Sequence, residues 1–151
     1  MTKILIVYHS QTGHTETLAQ AVFRGASSME DTEVILKRAS EATSDDLIRC
    51  DGLAIGTPEN FGYMSGMIKD FFDRTFYHVQ DQVFRTPYVV FVSAGNDGAG
   101  AVNSIERIAL GYQFKKVYEP VIARGTVTEE TLSECEELGK VLAGGVALGI
   151  Y

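Results

Sequence analysis

The chain has 151 residues, 45% of them hydrophobic, and a formal net charge of −7 from 13 Lys and Arg against 20 Asp and Glu. That length is right for one domain with a sizeable core, so residues 1–151 are expected to form a single unit. The acidic balance argues against nucleic acid and against anionic membrane surfaces, which need clustered Lys and Arg, and suits either ordinary solubility or a basic protein partner.

Cys50 and Cys135 are far apart, with no Cys-x-x-Cys spacing, and are expected to be free, packed thiols. The five apolar residues near the N-terminus are too few for a signal-peptide core, and the uncharged run Val141 to Tyr151 is too short and too glycine-rich to span a membrane, so a cytoplasmic location is expected.

In chain order, Ile4-Leu5-Ile6-Val7-Tyr8 is a continuous apolar run, as a strand buried on both faces should be, and helix-spaced apolar residues begin after Glu16. The junction Ser10-Gln11-Thr12-Gly13-His14-Thr15 therefore delivers the chain onto a helix N-terminus. There the unpaired N–H groups and the positive end of the helix dipole attract an anion. Ser10, Thr12 and Thr15 add hydroxyl donors, and Gly13 permits close approach. Without Lys or Arg this is no Walker A loop, so a phosphate here would be held by neutral dipoles. The alternative is a Ser/Thr-rich turn that only caps a helix. Leu18, Ala21, Val22, Gly25 and Ala26 give that helix its apolar side.

Val34-Ile35-Leu36 predicts a second strand, ending in Lys37-Arg38 where an NAD-binding Rossmann domain would place an acidic ribose ligand, which weighs against NAD as the resident cofactor. Ser44-Asp45-Asp46 predicts a cap before a short helix through Leu47 and Ile48, and Gly52 to Gly56 a third strand. The following loop, Thr57-Pro58-Glu59-Asn60-Phe61-Gly62-Tyr63-Met64-Ser65-Gly66, is a second candidate site: exposed aromatics between glycines either cover something flat or plug the end of the core. Met67, Ile68, Phe71, Phe72 and Phe76 then predict a helix with a bulky buried face.

Pro87 to Ala94 is apolar enough for a central fourth strand, and Ser93, Ala94, Gly95, Asn96, Asp97 and Gly98 form a third candidate loop before a helix carrying Val102, Ile105, Ile108 and Ala109. Its glycines follow the order G-x-x-G-x-G, so a flexible turn is the alternative to a nucleotide motif. Val117 to Ile122 predicts a fifth strand, interrupted at Pro120 and hence at a sheet edge. Thr128 is the expected cap of a last helix with Leu132, Cys135, Leu138, Val141 and Leu142 facing inward.

Five strands alternating with helices imply an α/β, three-layer, doubly wound parallel sheet, and in the order 2-1-3-4-5 the three loops meet in one crevice. Response regulators share that order but need acidic residues where this chain has His9-Ser10 and Gly56-Thr57, and small tyrosine phosphatases need a Cys and an Arg in the first loop.

On these residues the chain resembles the flavodoxin-like FMN proteins over nearly its whole length. Gly13-His14-Thr15-Glu16-Thr17-Leu18-Ala19 and Gly56-Thr57-Pro58-x-x-Phe61-Gly62-x-Met64-x-Gly66 are most similar to the loops of WrbA-type NAD(P)H:quinone oxidoreductases, whereas the length is that of a short-chain flavodoxin. The resemblance implies that residues 10–15 bind the FMN phosphate while 57–63 and 93–98 border the isoalloxazine. His9 and His78 have no ligand-like spacing, so no metal site is expected, and no residue must act as catalytic acid or base. Glu59 and Asp97 would be negative charges near the ring. Three activities are consistent with it: reduction of a quinone, flavin or similar small acceptor with NAD(P)H as transient reductant; single-electron transfer between redox partner proteins; and a flavin-free scaffold in protein association. A homo-oligomer is an option, although the inserted segments that help assemble the WrbA tetramer are missing.

Overall fold

The computed structural model describes residues 1–151. Strands Thr2–Tyr8 (β1), Thr32–Arg38 (β2), Gly52–Pro58 (β3) and Pro87–Ala94 (β4) alternate with helices His14–Ser27 (α1), Ser44–Arg49 (α2), Gly66–Val79 (α3) and Ala99–Tyr112 (α4). The chain then forms Lys115–Lys116 (β5), Val121–Arg124 (β6) and the helix Glu129–Ala147 (α5). All pairings are parallel, in the order β2-β1-β3-β4-β5 with β6 also on β4, which is the expected doubly wound sheet.

The sheet divides the core. Leu5 and Val7 of β1 point into a cluster with α2, α3 and α4, while Ile4, Ile6 and Tyr8 point into a second cluster with α1 and α5. Burial on both faces explains why β1, β3 and β4 read as unbroken apolar runs. Because every crossover returns to the same end of the sheet, the loops after β1, β3, β4 and β6 share the carboxyl edge.

Two local expectations are corrected. The fifth strand is not one segment over Val117 to Ile122 but two, β5 and β6, both paired only with β4. Val117 still donates to the Tyr88 carbonyl at 3.2 Å, and the ladder resumes with Val121 opposite Phe91. Between them Pro120 has no N–H to give and a fixed φ, which breaks the ladder at an edge where a break is tolerated. The cap of α2 is Thr43, one residue before the expected Ser44: its hydroxyl accepts the Asp46 N–H at 3.2 Å while Asp46 accepts the Thr43 N–H at 2.8 Å. Burial alone would raise the Asp46 carboxyl, but its bonds from Lys37 and Thr43 outweigh this and hold it below the usual carboxylate range.

Helices α1 and α5 meet backbone to backbone. A Cβ on Gly25 would overlap the Glu136 carbonyl, and one on Gly139 would overlap that of Val22, so neither helix could come this close with a side chain at either place. Gly25→Ala is therefore expected to destabilise the protein by at least about 2 kcal/mol, because the obstacle is backbone that cannot rotate away. Gly111, in α4, has open space where its Cβ would stand, and Gly111→Ala should stabilise by about 0.5–1 kcal/mol. Urea unfolding of both variants checks the pair, and equal effects would contradict the packing described.

Candidate functional site

Loop one leaves β1 at Tyr8 and enters α1 at His14. Gly13 takes the left-handed conformation, φ 100°, which favours glycine, and nothing lies within 4 Å of where its Cβ would be. The Ser10 hydroxyl oxygen accepts the N–H groups of Gly13 (3.1 Å) and Glu16 (3.2 Å), closing the loop into a ring and leaving the hydroxyl hydrogen to donate outward. The N–H groups of Gln11, Thr12, His14 and Thr15 have no partner in the protein. Orphan donors of this kind at a helix start, beside an open glycine, fit an anion with several acceptor oxygens.

The Thr15 side chain does not reach outward with the others. It is buried, and its hydroxyl shares a 2.7 Å hydrogen bond with that of Ser93 at the end of β4. That bond ties loop one to loop three.

Loop two is held from below and behind. The buried Thr57 hydroxyl donates to the Pro58 carbonyl (2.8 Å) and accepts the Ser65 N–H (2.9 Å), while the Glu59 N–H reaches the Ser93 carbonyl at 2.9 Å. Asn60 and Tyr63 exchange both backbone bonds, at 2.9 and 3.0 Å, around Phe61 (φ 53°) and Gly62 (φ 69°), a tight turn of the mirror-image type. Phe61 is fully exposed although it pays for a left-handed backbone with about 1–2 kcal/mol of strain. Tyr63 is 44% exposed beside it. Helix α4 braces the turn: Ser104 accepts the Met64 N–H at 3.0 Å, and only a glycine at 100 clears the Gly62 carbonyl.

Loop three runs from Ser93 and Ala94, both buried, through exposed Gly95, Asn96 and Asp97 to Gly98 (φ 73°). Asp97 accepts the Ala99 N–H at 3.0 Å, while the N-cap of α4 is Gly98. Between the loops lies a crevice of about 410 Å³. Gln11, Thr12 and His14 line it from loop one, Pro58, Glu59 and Asn60 from loop two, and Ser93, Ala94 and Gly95 from loop three. Asn60 donates to the Gln11 side chain across its mouth at 3.3 Å.

The remaining expected residues surround the crevice without lining it: Ser10, Gly13 and Thr15 frame loop one, Thr57 underlies loop two, Phe61, Gly62 and Tyr63 form its hairpin, and Asn96, Asp97 and Gly98 lead into α4. The sequence reading missed Gly125 and Thr126, which complete the lining because the Gly125 N–H bonds the Ala94 carbonyl at 2.8 Å. A Gly-Thr pair at the fifth strand-to-helix junction was the available signal, since that junction must share the carboxyl edge. No three His, Cys, Asp or Glu side chains gather as metal ligands. Burial pushes the thiols of Cys50 and Cys135 up to about 12, which makes both inert at neutral pH.

Comparison with known proteins bears on the family and the fold. The family model described as NADPH-dependent FMN reductase matches residues 30–123. A flavodoxin of Aquifex aeolicus (strain VF5) is 35% identical over 164 aligned residues, covering 98% of this chain and 89% of that protein. Among solved structures, a flavodoxin from the domain Archaea superposes with a TM-score of 0.84 at 22% identity, covering 97% of this chain and 99% of the other. The flavodoxin, WrbA-like protein from Agrobacterium tumefaciens gives 0.82 at 20% identity, with 98% and 99% covered. At such identities the structural likeness speaks for the fold alone.

The buried Thr15–Ser93 pair generates a prediction about stability. Thr15→Val and Ser93→Ala should each cost about 1–3 kcal/mol by leaving a buried hydroxyl unpaired, and the double variant should cost less than the sum. Denaturant titration of the three variants reads the coupling, and strict additivity would show that the bond contributes nothing.

Proposed function

The chain belongs to the flavodoxin-like FMN-binding family, and we propose that within it the protein is an NAD(P)H-dependent oxidoreductase of a quinone, a flavin or a similar small acceptor. FMN when bound supplies the redox chemistry, taking up a hydride or single electrons. The residues present fit it. The unpartnered N–H groups of loop one, with the hydroxyls of Ser10 and Thr12, suit a phosphate dianion, and the crevice between loops two and three continues from that point.

The observation that carries the enzyme reading is the small lining of one wall. Ser93, Ala94, Gly95 and Gly125 put no ring there, and the chain contains no Trp. A nicotinamide must lie flat against a flavin for hydride transfer, with the reacting atoms about 3–3.5 Å apart, and large rings on both faces would exclude it. In this reading Pro58 and Asn60 hold the other side, the Phe61–Tyr63 hairpin covers an edge, and Glu59 and Asp97 set the local negative potential. NAD(P)H visits transiently, and a cytoplasmic location goes with it.

A single-electron carrier between redox partner proteins is the second reading, favoured by the matching length of the flavodoxin relative. The orphan donors of loop one weigh against a flavin-free scaffold, for which they would have no use.

Three expected outcomes follow from loop one and the open wall. FMN should bind more tightly than riboflavin, and Gly13→Val should abolish FMN retention with an unchanged circular dichroism spectrum, since valine resists φ 100°. Flavin fluorescence quenching measures both, and normal FMN binding by the variant would remove loop one from the site. In anaerobic mixing, NADH or NADPH should bleach the flavin absorbance within minutes. Reduction by dithionite but by neither nucleotide would replace the enzyme with the carrier.

A further inference from the structure

We infer that Arg38 and Tyr8 are positioning residues for phosphate at loop one, acting by engaging the Glu16 carboxylate that would otherwise compete with the bound anion. The inference rests on the reading of loop one as a phosphate site. Glu16 is the third residue of α1, and its own N–H is one of the two that close the ring on Ser10, at 3.2 Å. A carboxylate in the first turn of a helix is drawn to the same positive helix end and the same free N–H groups as a phosphate. In this chain, therefore, the cradle carries its own competitor and its own source of like-charge repulsion.

The structure shows that competitor occupied. Glu16 Oε2 accepts from the Tyr8 hydroxyl at 3.0 Å and from Arg38 Nη2 at 2.7 Å, and the Arg38 guanidinium lies over the Tyr8 ring, 5.3 Å from its centroid. Strand register supplies the arrangement, because Tyr8 and Arg38 are paired at the ends of β1 and β2. Burial and the bond to Glu16 raise the Tyr8 phenol, so it stays a donor at neutral pH. The field of Arg38 reaches the start of the loop: His9 is held below its ordinary range first by burial and then by this guanidinium.

Fold stability does not account for the set. The Arg38 and Glu16 side chains are 45% and 36% exposed, the range in which a salt bridge contributes little. What the pair changes is the charge next to the anion. With loop one free of Lys and Arg, Arg38 is the cation bound to its first helical turn, and it is spent on Glu16 rather than offered to the ligand.

The test is the ratio of riboflavin to FMN dissociation constants, measured by flavin fluorescence with the full chain. Arg38→Gln should lower this preference about three- to tenfold, mainly through weaker FMN binding, and the loss should shrink in high salt. Arg38→Lys should keep most of the preference, and Glu16→Gln alone should raise it. Glu16→Gln added to Arg38→Gln should restore it, raising the ratio by a larger factor than Glu16→Gln does in the unaltered protein, a non-additivity that a merely structural role would not produce. Tyr8→Phe, which removes one bond to the carboxylate, should lower the ratio by a smaller factor and serves if the Arg38 variants do not fold. Equal binding of both flavins by the unaltered protein overturns the phosphate reading and this inference together. A clear preference that Arg38→Gln leaves intact, or a loss that Glu16→Gln fails to reverse, overturns this inference alone.

Discussion

A parallel sheet covered by helices on both faces constrains everything else in this protein. Because each strand must be reached by a crossover of the same hand, the carboxyl ends of β1, β3, β4 and β6 come to one edge, and their loops have no neighbour to pair with beyond the last ladder bond. Backbone donors accumulate there by necessity. The sequence places glycines, hydroxyls and a helix start at that edge, and the orphan N–H groups of Gln11, Thr12, His14 and Thr15 are the result. The buried Thr15–Ser93 bond then fixes how loop one sits against β4, so the crevice inherits its shape from the core below.

What could be read from the chain and what could not divide along the same physical line. The order of elements, the two-sided burial of β1 and β4 and the junction at residues 10–15 were legible, since apolar periodicity and strand-to-helix junctions are local patterns. Gly125 and Thr126 were missed because the fifth strand was drawn as Val117 to Ile122. Moving its end to Arg124 brings those two residues to the shared edge. Hydroxyl direction was not legible either: Thr12 and Thr15 look alike in sequence, but a helix turn sends Thr15 inward to Ser93 and leaves Thr12 in the crevice. Asp97 reads in sequence as a free charge near a ligand, and its carboxylate instead accepts the first N–H of α4. The contact between Glu16 and Arg38 depends on strand register, which no local pattern encodes.

The electrostatics of the crevice follow from a chain whose formal charge is −7. An anion site in such a protein can be built with lysines and arginines or with dipoles, and loop one has only dipoles to offer. Dipoles act over short range, so they discriminate by geometry more than by charge, and they do not draw in unrelated anions from a distance. Such a site is also vulnerable, because a single stray carboxylate in the first helical turn would offset much of what the N–H groups provide. The engagement of Glu16 by Arg38 and Tyr8 is understandable as the consequence of choosing neutral donors.

The hairpin of loop two shows the opposite balance. Phe61 contributes no buried surface, and its left-handed backbone is a strain that Asn at the same place would tolerate better. Yet the turn is over-determined: Asn60 and Tyr63 exchange both backbone bonds, Ser104 holds the Met64 N–H, and the absence of a side chain at 100 lets α4 press against the Gly62 carbonyl. Folding stability alone would favour relaxing such a residue, because the fold gains nothing from the ring. Strain of this kind persists where the surrounding structure is arranged to maintain it, and here the surroundings maintain an aromatic ring in water at the rim of the crevice. The backbone of the turn is fixed while the ring itself stays free, so a flat partner meeting Phe61 would have only the side-chain torsions left to order.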